Sequence, residues 1–238
     1  MFLLKSTYNK KRSLNLEEEK LLKTYVMSDI HNNYKRFKNM LQKIQFSEDD
    51  KLYILGDVFD RSNYDPNPVD LYFQILALGD RCTVIRGNHD QWLMEYINKY
   101  FSTPEKRRCK MEPYQYNSFL LLQERLTPID IQNIADTIMK WPLQLEIEVN
   151  DVKYLLAHAM TSEPDKILPD EYYLTGVPNN TYLEQGIAGY ISICGHSSTE
   201  GKILKNNIET LYTIDCGCGF RNGKLGCLCL ESKEEYYV

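Results

Sequence analysis

The first hundred residues alternate short apolar runs with longer stretches of helical spacing. Residues 24–28 form an apolar run that predicts a strand ending at Asp29, and residues 32–46 place Phe37, Met40, Leu41 and Ile44 at helical spacing. Residues 52–55 predict a second buried strand ending at Gly56-Asp57, followed by a helix over 69–78. Residues 82–85 predict a third strand running into Arg86-Gly87-Asn88-His89. A helix over 91–101 follows, with Trp92, Met94, Ile97 and Tyr100 as candidate core residues. Strand, polar loop and helix, three times over, is a βαβαβ beginning of the α/β class. In such sheets, sites lie outside the carboxyl ends of the strands.

Residues 102–142 break this rhythm. A basic and polar stretch, 106–110, leads into helical patterns near 114–126 and 129–141, which predict a small helical insertion overhanging the loops. The remainder is β-rich: 143–149, an Asn150-Asp151 turn, then 152–158, 190–194, 210–215 and 223–231. Residues 1–23 read as an N-terminal extension, a basic stretch and then one short helix at 14–22, ahead of a single domain over 24–238.

Composition narrows the function classes. The chain has 238 residues, 43% apolar and 26% charged, enough to bury a substantial core. Its net charge of −5 argues against a general nucleic-acid binder, so affinity for a phosphorylated ligand needs local positive charge, which divalent cations supply. With no run of 18 apolar residues and no signal-like start, the expectation is a cytoplasmic protein without membrane association. Seven cysteines without a secretion signal are expected to be reduced. Four of them, Cys216, Cys218, Cys227 and Cys229, flank Asn222-Gly223. A two-residue hairpin turn there would oppose Cys216 to Cys229 and Cys218 to Cys227 on one sheet face. Core packing is the favoured reading of these thiols, and a four-thiolate zinc site the other.

The candidate chemistry sits at the strand ends. Each of the four histidines falls in a short acidic or glycine-containing motif: His31 in D-I-H, His89 in G-N-H-D, His158 in H-A and His196 in G-H-S. Between the first two lies G-D-V-F-D-R, residues 56–61. A lone D-x-H reads as an ordinary hydrogen-bonded loop, but six candidates at successive strand ends point to a two-metal site. Asp29 and His31 would turn toward one ion, with Asp57 as the bridge. Asn88, His158 and His196 would serve the second. Mixed imidazole, carboxylate and amide donors suit Mn, with Fe or Zn as alternatives.

In that order the motifs resemble the signature of the calcineurin-like metallophosphoesterases, over residues 25 to about 231. Asp60-Arg61 and the ending I-D-C-G-…-G-K-L are most similar to the bacterial and phage-type phosphoprotein phosphatases. The resemblance implies a four-layer α/β/β/α sandwich holding two divalent ions. Their ligands would be Asp29, His31 and Asp57, and Asp57, Asn88, His158 and His196. It further implies that a hydroxide bridging the ions attacks phosphorus, and that His89, oriented by Asp60, is the general acid. Arg61, Arg86 and Asn88 are the expected phosphate-binding groups, although a plain surface charge is an even alternative for Arg86. The chain departs from the family in lacking an arginine between residues 159 and 195, and in carrying Ser62 where the family has glycine.

The expected substrate is a phosphorylated protein side chain, Ser/Thr before Tyr, or a small phosphoester. A symmetrical dinucleoside polyphosphate hydrolase is the alternative, and that branch more often lacks the Asp60 carboxylate. An inactive binding scaffold is a further alternative. Tyr114, Tyr116, Tyr172 and Tyr173, among 18 tyrosines, are candidates for shaping a substrate groove, though most are expected to be ordinary surface residues.

Overall fold

A computed structural model describes residues 22–61 and 65–238, so the basic stretch, all but the last residue of the helix expected at 14–22, and Ser62 lie outside the described residues. Strand β1 (Thr24–Met27) pairs in parallel with β2 (Lys51–Ile54), and β2 with β3 (Cys82–Val84). On the other side of β1, β9 (Gly226–Cys229) runs antiparallel and β10 (Glu235–Tyr237) closes the edge. β1 is buried on both faces, which is why it reads as an unbroken apolar run. Tyr25 and Met27 enter a cluster shared with helices, while Val26 points into the space between two sheets.

Helices α1 (Tyr34–Lys43), α2 (Pro68–Ala77) and α3 (Asn88–Ser102) follow the first three strands and bury Phe37, Met40, Leu71, Ile75, Leu93 and Ile97 in that helical cluster. A second sheet has the order β4-β5-β6-β8-β7, from β4 (Gln144–Val149), β5 (Val152–Ala157), β6 (Ile191–Cys194), β7 (Leu204–Lys205) and β8 (Leu211–Thr213). Its β4–β5 hairpin turns at Asn150 (φ 51°) and Asp151 (φ 61°), the paired left-handed residues that a tight two-residue turn demands. Tyr154, Leu156, Ile193, Tyr212 and Ile214 face Val26, Leu55 and Ile85 across the inter-sheet core.

Two short helices, α7 (Asp170–Thr175) and α8 (Asn180–Gln185), follow β5, and Tyr182 of α8 packs with Cys194 and Leu211 of the second sheet. The layers are therefore α/β/β/α. Within residues 102–142 lie α4 (Glu105–Arg108), α5 (Ser118–Gln123) and α6 (Pro128–Met139). α6 buries Ile131, Ile134, Ala135 and Ile138 in the cluster that holds Leu93 and Ile97 of α3. Thr127 and Asp130 cap its start reciprocally.

The cysteine hairpin does not form. Cys227 and Cys229 lie in β9, whose partner strands are β1 and β10, with Tyr25 opposite Cys229 and Met27 opposite Cys227. Pairing β9 with a strand two hundred residues earlier buries four consecutive residues, which outweighs a local Asn-Gly turn signal. Only a single bridge, Gly217 to Lys224, links the two arms. Cys216 joins the inter-sheet core, whereas Cys218, Cys227 and Cys229 join the helical cluster. The thiols thus pack as core residues, the favoured expectation.

Candidate active site

The loops leaving β1, β2 and β6 are built largely from left-handed residues. Asp29 (φ 55°), His31 (φ 51°), Asp57 (φ 51°), Asp60 (φ 71°), Arg61 (φ 61°) and His196 (φ 64°) all adopt a conformation rare outside glycine. Each costs on the order of 1–3 kcal/mol at worst, and the surrounding structure must over-determine it. Backbone bonds do so: Asp29 N–H to Gly56 O (3.1 Å), His31 N–H to Asp57 O (2.9 Å) and Gly195 N–H to His158 O (2.7 Å). Two glycines allow the loops to close. A Cβ on Gly87 would lie 2.3 Å from Asp57 N and Oδ1, and one on Gly195 would lie 1.9 Å from Ser28 Oγ.

Two groups of donor atoms result, sharing Asp57. In the first, His31 Nε2 stands 3.8 Å from Asp29 Oδ1 and 3.7 Å from Asp57 Oδ2. His31 Nδ1 is 3.0 Å from Phe59 O, so its proton is spent on that carbonyl and Nε2 presents a lone pair. Asp29 Oδ1 and His31 Nε2 are both buried without a hydrogen-bond partner. In the second group, His158 Nδ1 bonds Leu55 O at 2.7 Å and so turns Nε2 inward. That Nε2 lies 2.9 Å from Asn88 Oδ1, 3.2 Å from His196 Nδ1 and 3.5 Å from Asp57 Oδ1. His196 Nδ1 is also 2.9 Å from Asn88 Oδ1.

Buried acceptors facing one another with few protons between them form an arrangement that cations complete. The donor set therefore fits the divalent ions expected from the sequence. Electrostatics agree. Burial pushes the Asp29 carboxyl well above its usual range, and Asp215 and Asp57 push it further. Burial likewise holds His31 down to about 4, and His196 to about 4 with help from His158. Burial would raise Asp57, but His158, His31 and His89 together bring it to about 2. His31 and His196 are thus kept neutral and Asp57 ionised, the forms a metal needs, whereas Asp29 would give up its proton on binding one.

His89 stands apart from the donor groups. Its backbone N–H donates to Asp57 Oδ1 at 2.9 Å, its Nδ1 lies 3.3 Å from Asp60 Oδ2, and its buried Nε2 has no partner. Arg61 carries its guanidinium 5.6 Å over the Phe220 ring, and its charge bears on His31 and His196. Arg86 is set differently: Nη2 is 3.9 Å from Asp170 Oδ2 on α7, and its buried Nε is unpartnered. Asn88, Asp170 and Trp92 line one cavity of about 590 Å³ beside the donor atoms.

Two residues of the site, Asp90 and Asp215, carry no role read from the sequence, while Tyr114 and Tyr116 are its groove candidates and Trp92 one of its core candidates. Asp90 accepts from Val58 N–H, Phe59 N–H and Gly87 N–H, at 3.0, 3.2 and 3.0 Å, and so staples the loop after β2 to the start of α3. It belongs to G-N-H-D, the signal that could have exposed it. Asp215 is buried, and its charge acts on Asp29. Tyr114 donates its hydroxyl to Asp60 Oδ2 at 2.5 Å, and the Tyr116 and Trp92 rings lie 4.5 and 4.9 Å from the His89 ring. These are not ordinary surface tyrosines, because residues 114–118 run over the loop tips, where Ser118 Oγ also accepts from Asp60 N–H.

Comparison with known proteins places this geometry. A sequence profile of the calcineurin-like phosphoesterases matches residues 22–201. The symmetrical bis(5'-nucleosyl)-tetraphosphatase of Salmonella arizonae is 28% identical over 141 residues, which span 57% of this chain and 42% of that enzyme. The match thus reaches less than half the length of that relative. A crystal structure described as a candidate diadenosine tetraphosphatase superposes with a TM-score of 0.64 at 17% identity, covering 91% of this chain and 92% of the other. A Saccharomyces cerevisiae protein serine/threonine phosphatase superposes with a TM-score of 0.50 at 16% identity, covering 88% and 72%.

Proposed function

Since the chain belongs to the calcineurin-like phosphoesterase family, a family of metal-dependent phosphoester hydrolases, we propose that it is a dinuclear-metal phosphomonoesterase acting on phosphorylated serine or threonine side chains. Two divalent cations, manganese first, would be held by Asp29, His31 and Asp57, and by Asp57, Asn88, His158 and His196. They would supply Lewis-acid charge and a water made nucleophilic near neutral pH. Arg61 and Asn88 hold equatorial phosphate oxygens, the guanidinium matching two of them at once. Arg86 completes that clamp only when its guanidinium turns from Asp170 to the phosphate.

His89 hands a proton from Nε2 to the departing oxygen. Asp60, on Nδ1, fixes the ring and stabilises its cationic form.

The observation that carries the choice of a monoester is the His89–Asp60 pair. A serine or threonine alkoxide is a poor leaving group and needs that proton. A nucleoside diphosphate leaves as a phosphate whose last ionisation lies near about 6, so it needs little acid assistance. A symmetrical dinucleoside polyphosphate hydrolase is the second reading, favoured by the 28% identity to the Salmonella enzyme. Comparing kcat/KM on a phosphoserine peptide, p-nitrophenyl phosphate and diadenosine tetraphosphate with Mn2+ supplied separates the two. Preference for the peptide supports the proposal, and strong preference for the dinucleotide reverses it. Inactivity on all three returns the chain to a binding role.

A further inference from the structure

The Asp60 carboxylate is held in an unusual way. It is fully buried, its Oδ1 has no partner among the described residues, and its contact with His89 is a long 3.3 Å. The one short contact it makes among the described residues comes from outside the core motifs, from the Tyr114 hydroxyl at 2.5 Å. That length is typical of a hydroxyl bonded to an ionised carboxylate. A carboxylate on two rotatable bonds, with one oxygen unpartnered, would otherwise swing, and the imidazole it orients would swing with it.

Tyr114 is itself held in place. Its ring packs 5.0 Å from Tyr96 of α3 and 5.8 Å from Tyr116, whose own ring lies 4.5 Å from His89. Ser118 bonds Asp60 N–H and meets Asn32, anchoring the same stretch to the loop after β1. The segment between α3 and α5 therefore reaches His89 along two routes, a hydrogen bond through Asp60 and an aromatic wall through Tyr116 and Trp92.

We infer that Tyr114 is a positioning residue for proton donation: its hydroxyl locks Asp60 Oδ2, which aims the His89 ring at the leaving oxygen. The inference rests on His89 being the general acid. It extends the catalytic apparatus to residues 114–118, which supply none of the six metal-ligand candidates. A chain that lost this segment would keep its metal donors and lose its advantage on poor leaving groups.

The test is a double-mutant cycle, Tyr114→Phe and His89→Asn singly and together, with kcat and KM on a phosphoserine peptide and on p-nitrophenyl phosphate, and thermal unfolding of each protein. Tyr114→Phe is expected to lower kcat on the peptide by about tenfold, part of the roughly 10²–10⁴-fold that a placed general acid provides. The loss on p-nitrophenyl phosphate is smaller, and KM stays within about twofold. In the His89→Asn background Tyr114→Phe costs nothing further, because residues acting as a unit are not additive. An equal loss in both backgrounds, or on both substrates, assigns Tyr114 a purely structural role and overturns the inference. A large His89→Asn effect beside a silent Tyr114→Phe does the same while sparing the acid role. A silent His89→Asn overturns both.

Discussion

Gly87→Ala is the sharpest probe of how tightly the loops are closed. Gly87 has φ −95° and ψ 172°, a backbone conformation open to alanine, so any penalty is steric alone. The added Cβ would lie 2.3 Å from Asp57 N and Asp57 Oδ1, where ordinary contact begins near 3.4 Å. About 1 Å of movement must be absorbed, and backbone bonds pin both sides: His31 N–H on Asp57 O, and Arg86 N–H on Pro142 O. Overpacking of this kind costs about 1–3 kcal/mol, or a fall in Tm of roughly 2–12 °C for a chain of this size. Activity suffers more. Asp57 is the one residue shared by both donor groups, and an error of about 1 Å in a reacting constellation costs on the order of 10²-fold. The assay is kcat on p-nitrophenyl phosphate at saturating Mn2+, with bound metal by elemental analysis and Tm by calorimetry. A variant with wild-type turnover and metal content would refute the packing argument.

Two further outcomes follow from the same geometry. Asp90→Ala strips three buried N–H groups of their acceptor, at about 1–3 kcal/mol each, so Tm should fall by more than ~5 °C, and an unchanged Tm contradicts the staple. Burial and carboxylate repulsion raise Asp29 and Asp215, so the folded metal-free protein keeps protons that the unfolded chain releases above about 4. The contribution of these two carboxyls to stability is greatest below that pH and falls as pH rises toward their raised folded values, opposite in sign to the contributions of the lowered Asp57, His31 and His196. Added Mn2+ should therefore raise Tm more at pH 8 than at pH 5, and equal shifts would show that the ions do not relieve this charge.

The start of the first sheet was legible because β1 is buried on both faces and β1, β2 and β3 each coincide with a short apolar run. The turns after them were legible because Asp, Asn, His and Gly cluster where the backbone must go left-handed, as at Asp29, His31 and Asp57. Where sequence reasoning failed, distance along the chain was the cause. The Asn222-Gly223 turn is a local signal, whereas β9 is claimed by β1. β7, β10, α7 and α8 run two to six residues each, too short for a period to register. Helix α3 begins at Asn88 rather than 91, because Asp90 accepts the Gly87 N–H and caps it, so Asn88 and His89 ride on its first turn. Tyr114 and Tyr116 show no motif. Their place beside Asp60 and His89 depends on packing against Tyr96 and Trp92 of α3 and on the bond from Asn32 to Ser118, which no residue spacing reveals.

The gathering of Asp29, His31, Asp57, Asn88, His158 and His196 round one pocket is geometry; that they hold two cations is the claim everything else depends on. Anomalous diffraction from crystals grown with Mn2+ tests it most directly. The account predicts two peaks per chain, one among Asp29, His31 and Asp57, the other among Asp57, Asn88, His158 and His196. Peaks elsewhere, or none at this pocket at saturating Mn2+, would contradict it.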